Sequence, residues 1–325
     1  MRPPFADPQR PPSGYASLFE AAEHAASPET PDPVGEASLS PVPFLIRKYS
    51  DRALFLAAAS CFSDCPFCFR RGSPLLNGKN PSEEDAAGAA RWVAEHPEIS
   101  EVIISGGDPL TLTNEKLAKV ISTFASVSGI RRIRIHTKAP LVSPSRVDLG
   151  LQRLLVESAV PVSVVLNLVH PEELAPSVLL SLETLKEAGV PLSCQTVLLK
   201  GVNDDANLLA ELFSLTRKLK LPPRYLHHPD RAPGTEKFWL PMAKGLDIVR
   251  GLAKISGCET PPYVVDLPDG SGKTRVDALK IVGREEGGSG IRLKYRWERP
   301  EGWPGVRLAR ECEWWDVADS LGNGL

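Results

Sequence analysis

The chain of 325 residues has no apolar run long enough to cross a bilayer, which argues against a membrane-spanning protein. It has no excess of either charge: 38 Lys and Arg stand against 40 Asp and Glu, a formal net charge of −2. That balance supplies no electrostatic footprint for nucleic acid or an anionic membrane, so neither is expected as a partner. The start, MRPPFADPQR, lacks the apolar core of a secretory signal. Six cysteines could form three disulfides, but their distribution does not suit a disulfide framework. Cys61, Cys65 and Cys68 crowd one short loop, while Cys194, Cys258 and Cys312 stand alone. A reduced, cytoplasmic chain with one metal loop fits better.

What is present is ordinary for a globular protein, with 42% hydrophobic and 24% charged residues. Residues 1–43 are rich in Pro, Ala, Ser and acidic residues. They read as a poorly ordered arm, with one short helix expected around Tyr15 to Ala26. From Ala53 short apolar runs alternate with amphipathic stretches. Strands are expected at Leu54–Ala59, Val102–Ser105, Ile133–His136, Val162–Leu166, Cys194–Leu199 and Arg224–His227. Helices are expected at Glu83–Glu95, Asn114–Val127, Asp148–Ser158, Pro176–Ala188 and Asp205–Leu219. This α/β repeat predicts a parallel sheet with helical crossovers, a partial barrel of six βα units open on one side and spanning residues 44–260. Functional residues should gather at the C-terminal strand ends. Residues 261–325 form the remaining part. Ala278–Arg284 and Ile291–Trp297 predict a β-hairpin around a Gly-rich turn. The tail with Trp303, Trp314 and Trp315 is expected to pack back on the barrel.

Chemistry is concentrated in the run CFSDCPFCFRR. Three thiolates separated by three and two residues can all reach one soft metal centre. Zinc normally takes four ligands in a structural site, and no fourth Cys or His lies nearby. A four-iron cluster held by three cysteines keeps one iron open. The spacing C-x3-C-x2-C, with Phe67 just before the last cysteine, resembles the radical S-adenosylmethionine enzymes. The resemblance implies a 4Fe–4S cluster on Cys61, Cys65 and Cys68, with the amino and carboxylate groups of S-adenosylmethionine on the open iron. It implies cleavage of the sulfonium to a 5′-deoxyadenosyl radical, and an electron donor such as flavodoxin or ferredoxin. Ser105-Gly106-Gly107-Asp108-Pro109 matches the family's glycine-rich turn after the second strand. Glycines there let the backbone approach the methionine amino group. On the same resemblance Phe67, Gly106, Gly107, Asp108 and Gln195 are the candidate S-adenosylmethionine contacts.

Lys273 sits in a loop with Gly270 and Gly272, which alone reads as a solvated lysine on a turn. The segment YVVDLPDGSGKTRV, however, resembles the pyridoxal-phosphate loop of lysine 2,3-aminomutases, in which the lysine holds the cofactor covalently. Only a free amine can do so, and burial near another cation would help lower the Lys273 pKa. SPVPFLIRKYSDRALFL, HTKAPLVSPSR, AGVPLSCQTVLLKGVND and YLHHPDRAPGTEKF extend the resemblance in matching order.

The resemblance implies that Arg70 grips the substrate carboxylate, for which a planar guanidinium is suited. It implies that Asp230 and Asp266 bind the substrate's side-chain ammonium. Lys48, Tyr49 and Arg52 would hold the pyridoxal phosphate, with His227 and Gln195 lining the cofactors. Two neighbouring carboxylates repel unless a cation lies between them, so the expected substrate is a cationic amino acid, L-lysine first. The implied reaction moves its α-amino group to Cβ, giving β-lysine. One stretch departs from the family: LNLVHPEEL carries Asn167 for a histidine and Val169 for an asparagine, and keeps His170. In size the chain resembles short relatives that make β-lysine for elongation factor P. That role, an aminomutase for another amino acid, a non-catalytic metal-binding scaffold of the same fold, and a homo-oligomer all stay open.

Overall fold

The computed structural model describes residues 30–316, apart from 77, 256, 258, 288–289, 301–303 and 306–310. The helix expected around Tyr15 to Ala26, Trp303 and the Gly-rich hairpin turn at 288–289 lie outside the described residues.

The alternating pattern produces six βα units: β2 (Arg52–Ala58) with α1 (Glu83–Ala94), β3 (Glu101–Gly106) with α2 (Asn114–Ala125), β4 (Arg132–Thr137) with α3 (Leu149–Val156), β5 (Val162–Asn167) with α4 (Pro176–Glu187), β6 (Leu192–Val197) with α5 (Ala206–Lys218), and β7 (Pro223–His227) with α6 (Met242–Ala253). Strands β2 to β7 are the six expected ones, and α1 to α5 the five expected helices. The sixth helix was not among those expected. A seventh parallel strand, β8 (Tyr263–Asp266), follows it. The sheet is completed by two antiparallel edges, β1 (Leu45–Tyr49) on β2 and β9 (Lys273–Arg275) on β8. All nine strands lie in chain order, with every neighbour from β2 to β8 parallel.

Local chemistry starts the helices where they are needed. Ser82 and Asp85 form a reciprocal capping box on α1. The side chains of Thr113, Asp148 and Asp205 accept backbone N–H groups at the starts of α2, α3 and α5. The outward-facing strand residues Phe55, Ile104, Ile133, Ile135, Val164, Leu166 and Leu226 are buried with helix residues such as Leu117 and Phe124 in one core. The Phe55 and Phe124 rings lie 5.0 Å apart. Alternation along each strand sends the intervening residues to the other side of the sheet. At the C-terminal ends these are Ser105, His136, Asn167, Gln195, His227 and Asp266.

The expected hairpin is present as β10 (Lys280–Gly287) on β11 (Gly290–Glu298), and it gains a third strand, β12 (Glu311–Trp315). Tyr295 and Trp297 join the barrel core and Trp314 packs against it. Arg231 donates to the Trp315 carbonyl at 2.9 Å, so the described tail does return to the barrel. Among the described residues no helix is long and apolar enough to cross a membrane.

Candidate active site

The cysteine loop leaves the end of β2 and is stapled to the turn after β3. Gly107 N–H donates to Ala58 O at 2.6 Å and Asp108 N–H to Ser60 O at 2.8 Å. A Cβ on Gly106, whose φ is +120°, would lie 2.4 Å from Ala58 O, and one on Gly107 2.4 Å from Ser60 O. The two glycines are thus required by the close passage of the cysteine loop itself. Within that loop Cys68 N–H donates to Cys65 O at 3.1 Å, and the Ser63 hydroxyl and Cys65 thiol are 3.6 Å apart. Partial burial, Cys68, Asp108 and Cys65 push the Cys61 thiol up to about 12. Burial raises Cys65 and Cys68 as well, and the Cys65 thiolate adds to the shift on Cys68. The three sulfurs therefore share one electrostatic neighbourhood that disfavours three bare thiolates; a cationic metal centre reverses that penalty. Among the described residues no three His, Cys, Asp or Glu side chains close on a single ion position. A four-iron cluster would not ask for that, and Cys61, Cys65 and Cys68 are the residues that would hold it.

Asp108 is a clasp. Oδ1 accepts Leu110 N–H at 3.0 Å and Thr137 Oγ1 at 2.6 Å; Oδ2 accepts Lys138 N–H at 2.8 Å and Ala139 N–H at 2.9 Å. The carboxylate joins the ends of β3 and β4, and both its oxygens are engaged by protein donors. Phe67 packs edge-on against Phe238, with centroids 6.2 Å apart, in a small apolar cluster with Val169, Leu199 and Val202. Valine at 169 fits this setting: its side chain is buried in the apolar cluster against which the cysteine loop's phenylalanine packs.

The rest of LNLVHPEEL is held by residues that motif reading missed. Lys138 Nζ pairs with Glu173 and donates to Asn167 O at 3.0 Å. Glu173 Oε2 accepts Val169 N–H at 2.6 Å and His170 N–H at 3.2 Å. Asn203 donates to Val169 O at 2.8 Å and Val197 O at 2.9 Å. His170 Nδ1 accepts Glu172 N–H, so it serves as a local cap. Gln195 pairs in register with Asn167. Asn167 Oδ1, His136 Nε2, His227 Nε2 and Thr274 Oγ1 are buried without a hydrogen-bond partner among the described residues. Such a concentration of orphaned polar atoms at strand ends fits a polar ligand.

The lysine loop closes the open side of the barrel. Lys273 N–H donates to Tyr49 Oη at 2.8 Å, linking β9 to β1. A Cβ on Gly272, φ +96°, would lie 2.7 Å from that hydroxyl oxygen. Asp266 is the hub: its carboxylate lies 3.1 Å from Lys273 Nζ, 3.6 Å from Lys48 Nζ and 3.8 Å from His227 Nδ1. Burial depresses the Lys273 amine, but Asp266 outweighs burial and the pKa rises above the ordinary lysine value. The condition for a lowered pKa, burial beside a cation, is not the one that governs here, because the nearest charge is an anion. Burial pushes His227 down to about 3, with Lys273 adding to the effect, so the ring is neutral. Burial and then Asp266 push Asp230 up to about 8. Asp230 and Asp266 share a cavity of about 260 Å³ walled by His228, Arg231, Trp314 and Trp315. The structure sends Lys48 to Asp266 and stacks Arg52 on the Tyr49 ring, 4.3 Å from its centroid.

Arg70 follows the last cysteine. Its Nε and Nη2 donate to Glu36 at 2.8 and 2.7 Å, and Nη1 reaches Ser105 Oγ at 3.3 Å. His136, whose charged form is disfavoured first by burial and then by Arg134, Lys273 and Arg70, lies in the field of both halves of the site.

Residues 58–213 match the family model described as the Radical SAM superfamily. The chain is 34% identical over 260 residues to L-lysine 2,3-aminomutase of Fusobacterium nucleatum, covering 80% of this chain and 61% of that protein. It thus spans about three fifths of that relative's length. It is 35% identical over 263 residues to a putative L-lysine 2,3-aminomutase of Treponema pallidum, covering 81% and 73%. The solved structure of native anSMEcpe with bound AdoMet and Cp18Cys peptide overlaps 62% of this chain and 58% of that one, at a TM-score of 0.48 and 14% identity.

Proposed function

The chain belongs to the lysine 2,3-aminomutase family of radical SAM enzymes, and from that premise we propose that it is an isomerase that moves the α-amino group of L-lysine to Cβ. One observation carries this reading: Lys273, the carboxylates Asp230 and Asp266, and Arg70 are gathered at one end of one barrel, beside the cysteine loop. When bound, the 4Fe–4S cluster with S-adenosylmethionine supplies a carbon radical, and pyridoxal phosphate supplies the carrier on which an amino group migrates.

The chain's own residues supply position and charge. Cys61, Cys65 and Cys68 are the metal ligands, with a flavodoxin- or ferredoxin-type protein as the electron source. Gly106, Gly107 and Phe67 shape the S-adenosylmethionine side, and the orphaned atoms of Asn167, His136 and His227 are free to bond polar cofactor groups. Gln195 lines the cofactors from β6. Lys273 Nζ is the amine that captures pyridoxal phosphate, with Lys48, Tyr49 and Arg52 around it. Arg70 orients the substrate carboxylate. Asp266 serves two ammonium groups in turn: Lys273 in the cofactor-free protein, and the substrate side chain once Lys273 is engaged. Asp230 adds the second carboxylate, ionised when a cation enters the cavity. Each charge-assisted bond is worth roughly 1.5–3 kcal/mol.

Replacing both carboxylates, Asp230→Asn with Asp266→Asn, tests the substrate assignment. The pair should lower kcat/KM for lysine by a factor of about 100 or more, corresponding to two lost charged bonds. An unchanged kcat/KM would point to a different substrate.

A further inference from the structure

Neither the cysteine motif nor the lysine loop accounts for Glu36. It precedes β1 by several residues, yet its carboxylate lies side-on against Arg70, with Oε2 2.8 Å from Nε and Oε1 2.7 Å from Nη2. Only 11% of the Arg70 side chain and 6% of the Glu36 side chain is exposed. Burial pushes the Glu36 carboxyl up, but Arg70 and then Lys48 outweigh it and hold it below the ordinary range, so it is ionised.

A guanidinium has five N–H groups. Two go to Glu36 and one, on Nη1, to Ser105. The two that remain sit one on each terminal nitrogen, and when Ser105 takes the Nη1 hydrogen on the Cδ side they share the end-on edge. A second carboxylate can therefore bind that edge through two parallel bonds while Glu36 stays in place.

Glu36 is itself fixed. Asp32 accepts Glu36 N–H at Oδ1 and Ala37 N–H at Oδ2, both at 2.8 Å. Gly35 has a φ of +64°, and a Cβ on it would lie 2.9 Å from Gly270 N in the loop leading to Lys273. One turn thus touches the lysine loop and grips the arginine beside the cysteine loop. This double anchoring opposes the retreat that a displaceable stand-in for substrate would require.

We propose that Glu36 is a positioning residue: it holds Arg70 by the side edge, so that the end-on edge is already aimed when the substrate carboxylate arrives. The proposal rests on the reading of Arg70 as the carboxylate holder. An arginine fixed in advance has less rotamer freedom to lose on binding.

The test uses the reconstituted holoenzyme carrying Glu36→Ala, Glu36→Gln or Glu36→Asp, with lysine and with lysinamide, whose neutral carboxamide replaces the carboxylate. Lysine affinity is read without turnover, from the change in pyridoxal absorption on titration in the absence of S-adenosylmethionine. Glu36→Ala and Glu36→Gln should weaken lysine by about tenfold, cut the preference for lysine over lysinamide by a similar factor, and lower kcat much less. Cluster and pyridoxal absorption should be retained. Glu36→Asp keeps the charge and guards against a folding defect. Its shorter carboxylate falls short of Nε, so it too should weaken lysine. Unchanged affinity in Glu36→Asp and in whichever other variants fold overturns the proposal. Tighter lysine binding overturns it as well, since it would mark Glu36 as a competitor. Arg70→Gln tests the underlying reading separately: an intact lysine-over-lysinamide preference there removes Arg70 as the carboxylate holder, whatever the Glu36 variants do.

Discussion

The ammonium of Lys273 stands 3.1 Å from Oδ2 of Asp266. The residue assigned to capture pyridoxal phosphate is thereby held in its charged form by the residue assigned to the substrate ammonium. Only the neutral amine is a nucleophile. Capture of pyridoxal phosphate by the cofactor-free protein should therefore quicken as pH rises. Asp266→Asn removes the anion and leaves burial in control, so the rate profile should move to lower pH. Lys273→Ala should abolish the absorption change that marks capture of pyridoxal phosphate. An unmoved profile in Asp266→Asn would contradict the pairing.

Asp230 gives a second pH signature. Its pKa near 8 keeps it protonated at neutral pH in the ligand-free protein. Binding a cationic side chain favours the ionised form, so lysine binding at pH 7 should release a proton. Affinity for lysine should tighten as pH rises to about 8 and then level off. Calorimetry in buffers of different ionisation enthalpy measures the released proton. Asp230→Asn should lose it.

The glycine turn makes a steric prediction. A Cβ on Gly107 would lie 2.4 Å from the Ser60 carbonyl oxygen, a backbone atom that can yield only if the cysteine loop moves. Gly107→Ala should therefore lose most of the cluster absorbance after anaerobic reconstitution. Full absorbance with ordinary turnover would show that the loop tolerates the shift.

Lys138 and Glu173 form a buried pair, with 8% and 0% of their side chains exposed. Lys138→Ala leaves a buried carboxylate without its counter-charge, which costs about 3–5 kcal/mol. Chemical denaturation of the cofactor-free protein measures this. A loss under about 1 kcal/mol, the scale of a surface pair, would contradict a clasp role.

Much of the barrel was legible because its signals are local. The strands β2 to β7 are short apolar runs between caps and turns, and the helices carry Ser82, Thr113, Asp148 and Asp205 at their starts. α6 was missed because Pro241 precedes it and Gly245 and Gly251 interrupt it. Gly245 is there for packing, since a Cβ would lie 2.0 Å from the Tyr263 hydroxyl oxygen. The antiparallel edges β1 and β9 and the strand β12 fall outside the βα repeat that marks the other strands. In the site, residues next to a motif could be named, whereas pairs joined across the fold could not. Arg70 was singled out but Glu36, 34 positions earlier, was not. Lys138 and Glu173, 35 apart, were missed altogether. Nothing in their local sequence marks them as partners; only the folded sheet brings them together and buries them. The sign of the Lys273 shift could not be read for the same reason: it depends on Asp266, which only the β8–β9 pairing brings opposite it.

Conversion of L-lysine to β-lysine through a cluster-based radical is read out by anaerobic reconstitution. The protein is loaded with iron, sulfide, pyridoxal phosphate and S-adenosylmethionine, reduced, and incubated with a panel of amino acids. Products are separated by chromatography and identified by mass. An isomer of lysine that co-elutes with β-lysine is expected from the intact protein and not from Cys65→Ala protein. Rearrangement of a different amino acid with lysine untouched, or product formation that survives Cys65→Ala, would contradict it.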